Sequence, residues 1–198
     1  MAISIEDIKK LKELTGVGLT DAKGALVEAD GDFDKALEAM RKKGLTKAEK
    51  KGDREAREGI IDSYVHSGRI GVIVEVNCET DFVARLDAFK AMAHEIALQI
   101  AAMNPEYVSE ADIPAEEIER VRNEAKERVI AEGKPAELAD KIVEGQVKKH
   151  FAEKTLMSQT YIMNEKQTVS DFVKENIAKL GENIVVRQFK RIELGVNE

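Results

Sequence analysis

Tryptophan is absent from the 198 residues, aromatic residues of all kinds make up 5%, and the chain holds one cysteine. A single Cys78 excludes an internal disulfide and any zinc site built from paired cysteines. No apolar run approaches the roughly 20 residues that span a bilayer, so no membrane association is expected. The opening Met1-Ala2-Ile3-Ser4-Ile5 lacks the basic segment and apolar run of a secretory signal. A cytoplasmic location is the resulting expectation. Positive charge is also short: the net charge is −7. A general nucleic-acid binder neutralises phosphates with Lys and Arg, so no direct nucleic-acid contact is expected.

Several sites fail on inspection of their spacing. Gly16-Val17-Gly18 is followed by Asp21 where a dinucleotide fingerprint needs Gly, and it follows a helical rather than a strand pattern. No Gly-rich loop ends in Gly-Lys-Ser/Thr. Asp30-Gly31-Asp32-Phe33-Asp34 imitates a calcium loop, but Lys35 stands where Gly is required and Arg41 where the closing Glu belongs. His94-Glu95 opens a zinc-protease pattern that Leu98 breaks. His66, His94 and His150 have no sequence partners for nucleophilic work, so neither an enzyme nor a cofactor is expected.

What is present is an ordinary globular composition, 43% hydrophobic and 35% charged, dominated by helix formers. Residues 1–45 predict three short helices. Ser4 and Asp7 suit a capping box, with Ile3 and Ile8 as its hydrophobic staple. Gly16-Val17-Gly18 separates the first two helices, Asp32 caps the third, and Gly44 ends it. The charged residues 46–58 predict a solvated linker or exposed helix. From Ile60 the period changes to two. Ile60 to Ser67 and Ile70 to Cys78 form a hairpin turning at Ser67-Gly68.

Asp81 to Met103 predicts one amphipathic helix with the stripe Phe82, Leu86, Phe89, Ala93, Ile96 and Ile100, ended by Asn104-Pro105. Residues 114–152 predict a helical hairpin, with Ile118, Val121, Ala125 and Val129 facing Leu138, Ile142, Val147 and Phe151. Its turn falls near Gly133, and Pro135 opens the second helix. Thr168 and Asp171 cap a last helix closed by Gly181, and Ile184 to Leu194 predicts a final strand. The fold class is α+β, with a three-stranded antiparallel sheet flanked by helices in a core of residues 59–198.

Glu75-Val76-Asn77-Cys78-Glu79-Thr80-Asp81-Phe82-Val83-Ala84 is the most specific stretch of the chain. Leu14-Thr15-Gly16-Val17-Gly18 with Asp21-Ala22-Lys23, Ala29-Asp30-Gly31-Asp32, Gly133-Lys134-Pro135 and Val143-Glu144-Gly145 follow in order. Together they resemble the bacterial elongation factor Ts family, exchange factors for guanine nucleotide on elongation factor Tu. The resemblance implies that residues 1–45 are a ubiquitin-associated-like unit docking on the partner through Lys12, Leu19, Thr20 and Lys23. Thr20 stands where the family commonly has an apolar residue. It implies that Thr80, Asp81, Phe82 and Val83 enter near the partner's magnesium and phosphate site, and that Ile162 and Met163 touch another partner domain. Gln99 stands where some members have His. It also implies that the helical hairpin is a dimerisation element and that a chain with one sheet unit works as a homodimer. Cys78 itself reads most simply as a small apolar strand residue, which in a dimer could approach its twin.

On periodicity alone Phe82 heads the core stripe; the resemblance instead makes it an exposed wedge. A different class of function, a ubiquitin-associated-like adaptor that binds without exchange, rests on the N-terminal unit alone.

Overall fold

The computed structural model describes residues 3–132 and 136–196, with the backbone alone described at 45–47 and 136–138. Helices α1 (Ile5–Thr15), α2 (Leu19–Glu28) and α3 (Phe33–Glu49) form the N-terminal unit around Leu11, Ala22, Leu26, Ala36 and Met40. The Ser4 hydroxyl accepts from the Asp7 amide at 2.9 Å, and Asp32 accepts from the Lys35 amide at 3.1 Å, each satisfying one orphan donor of a first turn. Ile3 and Ile8 both pack on this small core, as a staple requires.

Gly44 does not end α3, which runs five residues further to Glu49. Its role is close approach: a Cβ added there would already touch the Ala178 side chain at 3.4 Å. The segment expected to be a solvated linker or exposed helix begins as the end of α3 and is mostly exposed, but it is pinned to the core at a few points. Ala48 is buried in the main core, Lys51 Nζ donates to the Gly181 carbonyl at 2.6 Å, and Asn183 Nδ2 donates to the carbonyls of Gly52 and Arg54 at 3.2 and 2.7 Å.

Strands β1 (Glu58–His66) and β2 (Ile70–Cys78) pair antiparallel through the turn at Ser67-Gly68, both at positive φ. The expected single helix from Asp81 is two: a one-turn α4 (Asp81–Ala84) and a long α5 (Asp87–Met103). Leu86 breaks them by adopting an extended backbone (φ −64°, ψ 136°). The phase of the stripe is lost there, so Phe89, Ala93, Ile96 and Ile100 are buried while Phe82 and Leu86 are exposed. Asn104, at positive φ, ends α5.

Helices α6 (Ala115–Ala131) and α7 (Ala136–Lys154) pack through Val121, Ala125, Val129, Val143, Val147 and Phe151. The turn expected at Gly133 to Pro135, and the side chain of Leu138, lie outside the described residues. A short pair unforeseen in the sequence follows, β3 (Thr160–Tyr161) with β4 (Asn164–Thr168). Then α8 (Val169–Leu180) opens on the full Thr168–Asp171 capping box and closes on Gly181 at φ 83°. Finally β5 (Ile184–Glu193) pairs antiparallel with β2, giving the sheet order β1-β2-β5.

Val72, Val74, Val76 and Cys78 point from β2 into the core against α5 and α8. On the opposite face Ile61, Val65, Ile73 and Ile192 stay between 56% and 72% exposed. The N-terminal unit sits on α8. A Cβ at Gly16 would lie 2.7 Å from the Lys179 Cα, and Arg41–Glu175 and Lys174–Glu49 form ion pairs at 3.2 and 3.3 Å.

The expectation that Cys78 approaches a twin is corrected by its place on the inward face, where it has no exposed surface. Burial, then the nearby Glu182 charge, pushes its thiol up to about 11. Because the folded state holds this proton more tightly than the unfolded chain, the associated stability is present below pH 9 and is lost as pH rises toward 11. Iodoacetamide at pH 8 is therefore expected to leave native Cys78 unmodified and to label it after denaturation. Rapid labelling of the native protein would contradict this burial.

Candidate functional site

The last core residue of β2 is Cys78, and two residues later the chain turns into α4. Thr80 is the N-cap, in extended conformation, with its hydroxyl facing the Val83 amide at 3.5 Å. This is a long cap, and α4 is only one turn, too short to be stable by itself. The turn is held by other groups. Glu182 Oε2 accepts from the amides of Glu79 and Thr80 at 3.1 and 3.0 Å, and its Oε1 accepts from the Thr80 hydroxyl at 2.6 Å. Glu79 answers in the reverse direction, accepting from the Asn183 amide at 2.6 Å and pairing with Arg54 at 3.5 Å. Val83 and Ala84 are buried beneath the turn.

The result is a fixed tip from which Phe82 projects, 76% exposed. Asp81 is beside it and pairs with Arg85 at 2.8 Å, one turn on. Most of the cost of displaying a large aromatic in water is returned only when a partner covers it. The alternative that Phe82 is a core residue fails on this exposure. Glu182 and Asn183 escaped the sequence analysis. Their signal was positional: antiparallel pairing of β2 with β5 sets the residues before Ile184 opposite those after Cys78.

A second exposed apolar pair lies at the bend between β3 and β4, where Ile162 is 36% and Met163 69% exposed. Gln99 holds this bend from α5. Wholly buried, it accepts from the Ile162 amide at 2.9 Å and donates to the Thr160 carbonyl and the Gln159 side chain, each at 3.1 Å. Tyr161 anchors the same hairpin, stacking on Phe172 and donating to Glu95, and its burial pushes the phenol well above its usual range. Lys12, at the end of α1, and Leu19, Thr20 and Lys23, at the start of α2, are all exposed around the Gly16–Gly18 connection. The structure thus brings each of the two apolar tips and the N-terminal group to the surface on a separate element.

Two of the histidines form structural contacts: His94 Nδ1 lies 2.8 Å from Asp62 Oδ2, and the Tyr64 hydroxyl lies 2.9 Å from His66 Nδ1. Among the described residues no three His, Cys, Asp or Glu side chains are grouped to hold a metal ion, and no helix is long and apolar enough to cross a membrane. A cleft of about 440 Å³ between α3, α8 and β5 is floored by Val108, Met157, Val173 and Ile177, and its lining includes none of Thr80, Asp81, Phe82 or Val83.

The sequence model of the family described as Elongation factor TS matches residues 46–196. The chain is also 52% identical over 194 residues to the elongation factor Ts of Thermoanaerobacter pseudethanolicus, covering 98% of this chain and 95% of that relative. To the elongation factor Ts of Fervidobacterium nodosum it is 47% identical over 196 residues, covering 98% of this chain and all of that relative. The chain belongs to the elongation factor Ts family, a family of translation elongation factors. These two matches extend across the N-terminal unit that the family model leaves out.

Gln99→Leu is expected to leave the Ile162 amide without its acceptor, costing about 1–3 kcal/mol. The checks are a lower denaturant midpoint and faster hydrogen exchange at Ile162. An unchanged midpoint with full protection would show that Gln99 does not hold the bend.

Proposed function

We propose that the chain binds elongation factor Tu and promotes release of GDP by disturbing the magnesium and phosphate site with Thr80, Asp81, Phe82 and Val83. The observation that carries this is Phe82, 76% exposed on a turn whose backbone is held in place by hydrogen bonds from another part of the chain. Bound nucleotide is retained by amides around its phosphates, a Lys and Mg²⁺. A preformed aromatic wedge with a carboxylate beside it competes with that arrangement sterically and electrostatically. No covalent chemistry is needed. The factor need only bind the nucleotide-free partner better than the nucleotide-bound one, and a ten-thousandfold loosening corresponds to about 5.5 kcal/mol of such difference. Lys12, Leu19, Thr20 and Lys23, with Ile162 and Met163, supply docking surface away from the tip. The protein acts in the cytoplasm without touching nucleic acid, in keeping with its net charge of −7.

We also propose a homodimer. Support comes from the sheet face bearing Ile61, Val65, Ile73 and Ile192, and from β1 and β5, which are both edge strands. Two such faces stacked about 10 Å apart complete a sandwich.

The exchange proposal is tested by the release of labelled GDP from elongation factor Tu. Phe82→Ala should leave the melting temperature nearly unchanged, since an exposed side chain contributes within about ±0.5 kcal/mol, yet slow release strongly at saturating factor. Leu19→Asp should raise the concentration needed for half-maximal release and spare the maximal rate. Normal release by Phe82→Ala sinks the wedge, and binding without any release by the unaltered chain favours the adaptor instead.

For the dimer, sedimentation at tens of micromolar, roughly where weak dimers form, should give twice the chain mass. Ile73→Lys should give the single-chain mass. A monomer before mutation counts against the proposal.

A further inference from the structure

We propose that Glu182 is the positioning residue of the exchange tip: its carboxylate holds the Glu79–Thr80 backbone and the Thr80 hydroxyl, and so sets the direction in which Phe82 projects. The proposal rests on the exchange role given above to Thr80–Val83. Three hydrogen bonds from the tip converge on one side chain, at 3.1, 3.0 and 2.6 Å. A charged acceptor makes each stronger than a neutral one. The shortest also fixes the Thr80 rotor. With its hydrogen committed to Glu182 Oε1, the hydroxyl can offer only lone pairs to the Val83 amide, which is the cap that opens α4. A one-turn helix has no stability of its own, so its orientation is inherited from whatever holds its first residues.

Glu182 is itself held. Gly181, at φ 83°, ends α8 and turns the chain toward β5, and its carbonyl receives Lys51 Nζ at 2.6 Å. Asn183, wholly enclosed, donates its amide to Glu79 and its side chain to the carbonyls of Gly52 and Arg54. The loop from Gly181 to Asn183 is therefore fastened on one side to the segment following α3 and on the other to the tip. Glu182 touches the tip backbone and not Phe82, so its effect on exchange is transmitted through Thr80.

The test compares Glu182→Ala, Glu182→Gln and Phe82→Ala in the full chain, by labelled GDP release from elongation factor Tu and by hydrogen exchange at the Glu79 and Thr80 amides. Glu182→Ala is expected to lower the maximal release rate on the order of tenfold to a hundredfold, the scale of a misplaced reacting group. The concentration for half-maximal release should change little, because the docking residues are untouched. Protection of the Glu79 and Thr80 amides should be lost while that of β2 is kept. Glu182→Gln, which keeps one acceptor oxygen, should recover part of both. Should the alanine variant fail to fold, the glutamine variant carries the same two readouts. Wild-type maximal release by both Glu182 variants, with Phe82→Ala slow, overturns the positioning role and leaves the tip's role intact. Wild-type release by Phe82→Ala overturns the tip's role, and the exchange role of Glu182 with it.

Discussion

Antiparallel pairing of β2 with β5 ends at Cys78 opposite Ile184 and sets the end of β2 beside the start of β5. Neighbouring strands lie about 4.8 Å apart. The residues just past the ladder are thus within reach of each other, and their backbone amides have no strand partner. Glu182 and Glu79 fill that vacancy in opposite directions, Glu182 accepting from the amide just after β2 and Glu79 from the amide just before β5. A bulge along the same ladder, where Glu75 faces Gln188 but Val76 faces Val186, sets Arg187 out of register. Its guanidinium then reaches Asn77 and the Ala56 carbonyl, fastening the strand ends to the segment before β1. The tip is held by several hydrogen bonds because the sheet register brings its restraints together.

The break at Leu86 is the second determinant. Had Asp81 to Met103 formed one helix, the stripe would have turned Phe82 into the core with Phe89. The extended Leu86 detaches α4 and lets Val83 and Ala84 take the inward positions instead. An aromatic side chain is thereby turned from the core to the surface. Phe82 adds little to the stability of the free protein, and its apolar surface remains available to a partner. The same division recurs at β3–β4, where buried Gln99 and Tyr161 bear the structure and exposed Ile162 and Met163 face outward.

Much of this was legible in the chain because local chemistry and tertiary structure agree. Alternation in Ile70–Cys78 marked an inward face, and Thr168 with Asp171 marked a helix start. That alternation also placed Cys78 beside Val76 on the core side, against its expected approach to a twin. The break at Leu86 had no such mark, since neither Gly nor Pro stands at 85–87. The strand Asn164–Thr168 is polar on both faces, and the side chains securing its hairpin lie some 60 residues away in sequence. Gly44 was ambiguous for another reason: a glycine at a helix end and one at a helix crossing look the same in sequence. Glu182 belonged to no motif, and only the register gives it meaning.

The account holds that exchange arises from differential binding. Its most direct test is the affinity of this chain for elongation factor Tu, measured by calorimetry with the partner nucleotide-free and again with GDP bound. The factor by which GDP weakens that affinity should equal the factor by which the chain weakens GDP binding, as linkage demands, and should be several powers of ten. Equal affinity for the two forms of the partner would contradict the account, however tight the binding.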